Sequence, residues 1–238
     1  VEEWLKDRSA YIEIGQDTSD FFRVDDGTIQ GSVMGPALFS IFIRPLLEMT
    51  GILAYADDNY IIECSNNIDE LKQKLSTKIT SVIDWMSQSG LSVNIGKTEL
   101  VFFHRHQKIY ESITIGDFVI NSKESMKILG IWFDCNLTWS CHVHKLIETI
   151  KRECFGLRKL RNYFSFDEMK QICTAFAYSK FYYGCQIWFL PSLHKKLKQK
   201  LLSTSTLVLR SAFYLHDWKI SNADVHAIVG RATPSQYC

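Results

Sequence analysis

The stretch Ile52-Leu53-Ala54-Tyr55-Ala56-Asp57-Asp58-Asn59-Tyr60-Ile61-Ile62 sets two adjacent carboxylates between short apolar runs rich in Ile and Tyr. Such runs read as strands, and Asp and Asn accept the dihedrals of a tight turn, so the segment reads as a hairpin with Asp57-Asp58 between its arms. A carboxylate held among apolar strands needs a hydrogen-bonding or cationic partner, and two side by side repel each other. A divalent cation removes both difficulties. Mg²⁺ takes hard oxygen ligands and keeps positions for water and substrate phosphates. Two such ions a few ångströms apart serve an in-line phosphoryl transfer. On the dipeptide alone, an Asp-Asp turn standing in water is the simpler reading.

Upstream, Gly27 through Pro36 (GTIQGSVMGP) carries three glycines and a proline in ten residues, which interrupts any regular element. The following ALFSIFIRPLLEM is apolar at helical spacing; Pro36 suits its first turn, and Pro45 is expected to kink or end it. Downstream, Ile68, Leu71, Leu75, Ile79, Val82, Ile83 and Met86 predict a helix over 68–89. Asn67 caps it with Glu70 as box partner, and Gly90 stops it. Glu99–Phe103 and Met126–Phe133 read as strands, and Ser112–Ile115 with Phe118–Asn121 as a hairpin across Gly116-Asp117. Three helical stretches follow, near 139–161, 166–188 and 193–213.

Charge changes with the structure class, although the 238 residues sum to only +1. Residues 1–68 hold 4 basic against 12 acidic side chains, and residues 138–212 hold 13 against 4, a swing from −8 to +9. A basic helical part points to a polyanion partner, because Lys and Arg displace counterions along a phosphate backbone; a solvated basic surface is the alternative. Both switches place a boundary near residue 136. The expected organisation is residues 1–135, residues 136–213 and a tail, 214–238.

With 46% apolar and 22% charged residues the composition is that of a globular domain, not a disordered chain. No apolar run reaches the roughly 18–20 residues of a membrane span. Seven cysteines, odd in number and without a C-x-x-C, fit free thiols in a reducing, intracellular compartment, nucleus or cytoplasm. Cys135, Cys141, His142 and His144 match no standard zinc spacing. Ser32 has no His partner arranged for hydrolase chemistry.

Tyr55-Ala56-Asp57-Asp58 on a hairpin, preceded by Gln30-Gly31-Ser32-x-x-Gly35-Pro36, resembles the palm of reverse transcriptases, and most of all those of non-LTR (LINE-type) retrotransposons near the Jockey-like elements. Trp4-Leu5 with Arg8, then Gly90-Leu91-Ser92-Val93-Asn94-x-x-Lys97-Thr98-Glu99, then Leu129-Gly130-Ile131 with Asp134, Leu137, Trp139 and His142 resemble further motifs of that family, in its order, the last a hairpin that leads into the thumb. Tyr183-Gly184-x-x-Ile187-Trp188 fits its thumb. Small departures are Ile29 where Pro is usual, Met34 for Leu, and Asn59 after the acidic pair.

The resemblance implies an α+β fold: a partial polymerase palm, with an antiparallel sheet and packed helices, followed by an all-α thumb. It implies Asp57 as a ligand shared by two Mg²⁺ ions (Mn²⁺ being the alternative), with Asp58 beside it. Tyr55 would lie near the primer end, and Gln30, Gly31 and Ser32 would line the template and nucleotide pocket. Lys97 would approach the triphosphate, and Gly130 would let the primer backbone pass. The partners implied are an RNA template, a DNA primer and dNTP, with no membrane. The family's third metal-binding aspartate and its fingers have no match here. The expectation is therefore a fragment of an RNA-directed DNA polymerase, inactive by itself, that pairs with an upstream segment. A non-catalytic nucleic-acid- or protein-binding remnant is the alternative.

Overall fold

In the computed structural model, which describes residues 5–29, 31–215 and 219–230, helices and short antiparallel ribbons mix in an α+β arrangement. The chain divides into two compact units, Val1–Gly96 with Ile113–Val119, and Lys97–Ser112 with Ile120–Cys238.

The first unit opens with two small ribbons: β1 (Ser9–Ala10) pairs with β4 (Phe22–Arg23), and β2 (Glu13–Ile14) with β3 (Asp17–Thr18). Helix α1 (Gly35–Phe42) starts with Pro36 in its first turn and stops at Ile43. The chain restarts as α2 (Arg44–Leu47) with Pro45 in the first turn, because proline cannot continue a helix but suits its opening. Strands β5 (Ile52–Tyr55) and β6 (Asp58–Ile61) form the expected hairpin, and α3 (Ile68–Gln88) follows. Asn67 caps α3 by accepting from the Asp69 and Glu70 amides. Glu70 differs from the expected box partner. Its carboxylate accepts from Ser65 Oγ at 2.6 Å and pairs with Lys74 at 2.6 Å, and those two contacts, Lys74 first, hold it below the usual carboxylate range. At the other end Leu91 N–H donates to Met86 O and Gly90 N–H to Ser87 O, with Gly90 at φ +74°; this Schellman closure is why the helix ends there. Ile43, Leu46, Ile52, Val82 and Met86 make the core these elements share.

Strands β7 (Ser112–Ile115) and β8 (Phe118–Asn121) pair across Gly116-Asp117 as expected. The strand expected over Glu99–Phe103 is an extended segment with one parallel bridge, Leu100 to Ser122. Its other anchors are Lys123 N–H to Leu100 O and His104 N–H to Cys135 O, so it lies between ribbons without joining a ladder.

In the second unit Met126–Phe133, a single strand by its pattern but a hairpin by the family resemblance, is a hairpin: β9 (Ser125–Ile128) and β10 (Ile131–Asp134), turning at Leu129-Gly130. Both turn residues have positive φ, +45° and +88°, the signature of a type I′ turn. Four helices dominate: α4 (Ser140–Leu160), α5 (Phe166–Cys173), α8 (Lys195–Ala212) and α9 (Asn222–Val229). Ser165 and Glu168 close a reciprocal capping box on α5. The helix expected through 166–188 passes a π turn at Thr174–Tyr178 and α6 (Ser179–Tyr182), then breaks at Gly184 (φ +59°) before α7 (Cys185–Trp188). A Cβ on Gly184 would meet Ile131 Cδ1 at 2.4 Å, so only glycine turns the corner this close to β10. Val143, Ile147, Ile150, Cys154 and Leu157 of α4 pack in one core with Leu201, Val208 and Leu209 of α8.

The step from β10 into α4 rests on three side chains. Asp134 Oδ1 accepts from Thr138 N–H at 2.9 Å and Thr138 Oγ1 at 3.0 Å. Trp139, buried at φ +64°, leads into the helix, and His142 Nδ1 accepts from Trp132 N–H at 3.3 Å. Burial pushes His142 down to about 4, so the imidazole is neutral in the fold. An unfolded chain takes up that proton near pH 6.5. The stabilisation from a neutral His142 is therefore fully present above pH 6.5 and lost as pH falls towards 4. We expect urea unfolding to show about 2 kcal/mol less stability at pH 5 than at pH 7.5, and His142→Gln to remove most of that difference.

Candidate active site

The pairing register decides where the acidic couple stands. Ile52 faces Ile61, Leu53 faces Tyr60, Ala54 faces Asn59 and Tyr55 faces Asp58. Alternation then puts Ile52, Ala54, Asn59 and Ile61 on the inner face, and Leu53, Tyr55, Asp58 and Tyr60 on the outer one. Ile52, Ala54 and Ile61 pack on the core, while Tyr55 is 65% exposed. The two turn residues are Ala56 and Asp57, not Asp57 and Asp58: Asp58 is the first residue of β6. Both carboxylates are exposed, so the desolvation cost that a buried pair would carry does not arise.

The tip is nonetheless specifically built. Asn59 Nδ2 donates to Asp57 O at 3.1 Å from the inner face, and its Oδ1 is buried without a partner among the described residues. Tyr60 Oη donates to Asp58 Oδ2 at 3.3 Å along the outer face. Ala56 adopts φ +53°, a conformation that favours glycine and costs an L-residue about 1 kcal/mol. At the hairpin's base Lys78 of α3 donates to Thr50 O at 2.5 Å and pairs with Glu63, tying both ends of the ribbon to that helix. Among the described residues no Lys or Arg pairs with Asp57 or Asp58. No group of three His, Cys, Asp or Glu placed to hold a metal ion occurs among them either.

The other expected site residues stand as follows. Gln30 lies outside the described residues, as does Trp4. Gly31 takes φ +79°. Ser32 Oγ accepts from Gly35 N–H at 3.0 Å, so this serine serves the start of α1. No hydrogen bond joins Gly31 or Ser32 to the hairpin tip among the described residues. Lys97 ends a short 3-10 turn (Ile95–Lys97) at the surface of the second unit, whereas the carboxylates belong to the first. Gly130 also belongs to the second unit, and the Tyr183 ring lies where a Cβ on it would come within 3.1 Å. Asn59, Tyr60 and Tyr183 were not singled out from the sequence as site-shaping. The first two share a strand with Asp58 and follow from alternation once the register is known.

Residues 2–133, more than half of the chain, match the sequence profile of the family described as reverse transcriptase (RNA-dependent DNA polymerase). The chain belongs to that family. Among curated proteins it is similar to the RNA-directed DNA polymerase from mobile element jockey of Drosophila melanogaster, 23% identical over 87% of this chain and 24% of that protein. It is also similar to the probable RNA-directed DNA polymerase from transposon X-element of the same organism, at 22% over 98% of this chain and 26% of that protein. The probable RNA-directed DNA polymerase from transposon BS, again of Drosophila melanogaster, is 26% identical over 79% of this chain and 22% of that protein. The chain thus spans about a quarter of the length of these relatives. No solved structure matches it. The resemblance to reverse transcriptases of non-LTR retrotransposons holds, and that family generally works with divalent metal ions on nucleic-acid template and primer. No helix among the described residues is long and apolar enough to cross a membrane.

The strain at Ala56 is open to direct measurement. Ala56→Gly is expected to raise stability towards urea by about 0.5–1 kcal/mol, and Ala56→Val to lower it by about 1–2 kcal/mol, because a β-branched side chain tolerates positive φ worst.

Proposed function

We propose that this chain supplies part of the catalytic centre of an RNA-directed DNA polymerase of a retrotransposon. The observation that carries this is a pair of adjacent carboxylates on a tight, exposed hairpin tip, unpaired with any Lys or Arg among the described residues, in a chain of the reverse transcriptase family. On this reading α1, α2, the β5–β6 hairpin and α3 are part of the palm, and residues 136–213 are the thumb.

The donor set fits a hard divalent cation: two exposed carboxylates that no Lys or Arg among the described residues pairs with, open to water and to substrate phosphates. Asp57 and Asp58 would hold Mg²⁺ in preference to Mn²⁺. When bound, the metal supplies activation of an attacking hydroxyl and charge neutralisation at the leaving pyrophosphate. The chain's own residues orient the partners. Asn59 fixes the turn so that Asp57 stands at the tip, and Tyr60 limits the rotamers of Asp58. Tyr55, on the same face as Asp58, offers an exposed ring near the primer end. Gln30, Gly31 and Ser32 are assigned to the template and nucleotide pocket, Lys97 to the triphosphate, where a cation offsets charge developing on the leaving group, and Gly130 to the primer strand.

Two carboxylates are a sparse metal set, and no third acidic residue joins them among the described residues. We expect the 238-residue chain by itself not to extend oligo-dT on poly-rA in Mg²⁺. Within a full-length polymerase carrying it, Asp57→Ala should lower incorporation by at least about 100-fold. Near-normal incorporation in that variant would remove Asp57 from the centre.

A second reading, nucleic-acid binding without catalysis, is favoured by the outer face of α4. Lys151, Phe155 and Lys159 recur at four-residue spacing with Arg152 alongside; Phe155 is 63% exposed and Lys159 Nζ lies 4.8 Å above its ring. Alternating cations and an exposed ring suit phosphates and a base face. On this reading an RNA–DNA hybrid binds with a steep salt dependence, and Lys151→Glu with Lys159→Glu weakens binding while Asp57→Ala leaves it unchanged. Binding with no salt slope sinks this use of the face.

A further inference from the structure

Tyr183 joins two sequence features that lie 54 residues apart. Its hydroxyl donates to Leu129 O at 2.6 Å, and its ring lies against Gly130 so closely that a Cβ there would come within 3.1 Å of it. The corner that presents Tyr183 is itself braced. Trp188 Nε1 donates to Tyr183 O at 3.0 Å, and the buried Trp188 ring lies 5.0 Å from His142. His142 in turn accepts from the Trp132 amide on β10, and Gly184 seats against Ile131. The path leaves the β9–β10 hairpin at Leu129, runs through the helical corner and returns to the same hairpin at Trp132. Tyr183 itself is 56% exposed, so little core depends on it.

We infer that Tyr183 is a positioning residue that fixes the pose of the Leu129-Gly130 turn for the primer strand. A type I′ turn of a two-stranded ribbon is free to rock about its base; a hydrogen bond to one of its carbonyls from a braced corner removes that freedom before the ligand arrives, and preorganisation strengthens binding. The proposal rests on the reading of this turn as primer-facing.

The test uses the full chain, an oligo-dT/poly-rA hybrid and Tyr183→Phe, which keeps the ring over Gly130 but removes the hydroxyl. Amide hydrogen exchange over Leu129–Ile131 in the free variant is expected to quicken at least about fivefold, and hybrid affinity to fall about three- to tenfold. The salt slope should stay unchanged, because no charge is removed. Wild-type exchange and wild-type affinity in Tyr183→Phe would overturn the proposal. If exchange quickens but the hybrid protects the turn in neither protein, the primer-facing reading fails, and the positioning role with it. Protection in the wild type together with unaltered affinity in the variant overturns the positioning role alone.

Discussion

A strand shows its side chains to alternate faces, and in the β5–β6 ribbon that period of two governs the candidate site. Ile52, Ala54 and Ile61 must face the core made by Ile43, Leu46, Val82 and Met86. Once they do, Tyr55 and Asp58 have nowhere to go but outward, and the two-residue turn leaves Asp57 at the tip. A slip of one residue would drive Asp58 into the core and expose the isoleucines, so apolar burial holds the acidic pair in place. Lys78, bonded to Thr50 and Glu63 at the ribbon's base, fixes where the tip stands relative to α3.

The second unit uses the same economy of contacts. Asp134, Trp139 and His142, within nine residues of one another, work as one junction between β10 and α4. The Asp134 carboxylate bonds the Thr138 amide, Trp139 enters the core, and His142 accepts the Trp132 amide because burial keeps it neutral. Residues that read as signatures of a polymerase family are thus structural in their immediate chemistry. The basic side chains of α4 lie outward because Val143, Ile147, Ile150, Cys154 and Leu157 commit its opposite stripe to the core.

Membership in the reverse transcriptase family and the geometry of the tip bear on different questions. The family match gives the kind of protein to which the hairpin belongs, and the geometry gives the state in which the chain holds its two carboxylates. The expectation of carboxylates strained by burial does not describe that state: the pair is solvated and open, with its strain carried instead by the backbone at Ala56. Such an open pair, with no Lys or Arg paired to it among the described residues, is what the proposed metal-binding role requires.

Local chemistry was legible in the sequence. Helix α3 was readable from its apolar stripe, its Asn67 cap and Gly90, because those signals act within one or two turns. The break at Pro45 and the β5–β6 and β7–β8 hairpins were readable for the same reason. Where the decision belonged to distant partners, the reading fell short. The turn sits one residue earlier than Asp57-Asp58 suggests because burial of Ile52 and Ile61 sets the register. Met126–Phe133 folds back at Leu129-Gly130, which its pattern did not show though the family resemblance did; Glu99–Phe103 finds no ladder, and the helix after Phe166 breaks at Gly184 because Ile131 packs there. Sequence by itself determined which residue types could serve phosphoryl transfer, since their chemistry is intrinsic. Only tertiary structure decided which of them face water and which brace one another, since a contact across 54 residues, as between Leu129 and Tyr183, leaves no periodic trace in the chain.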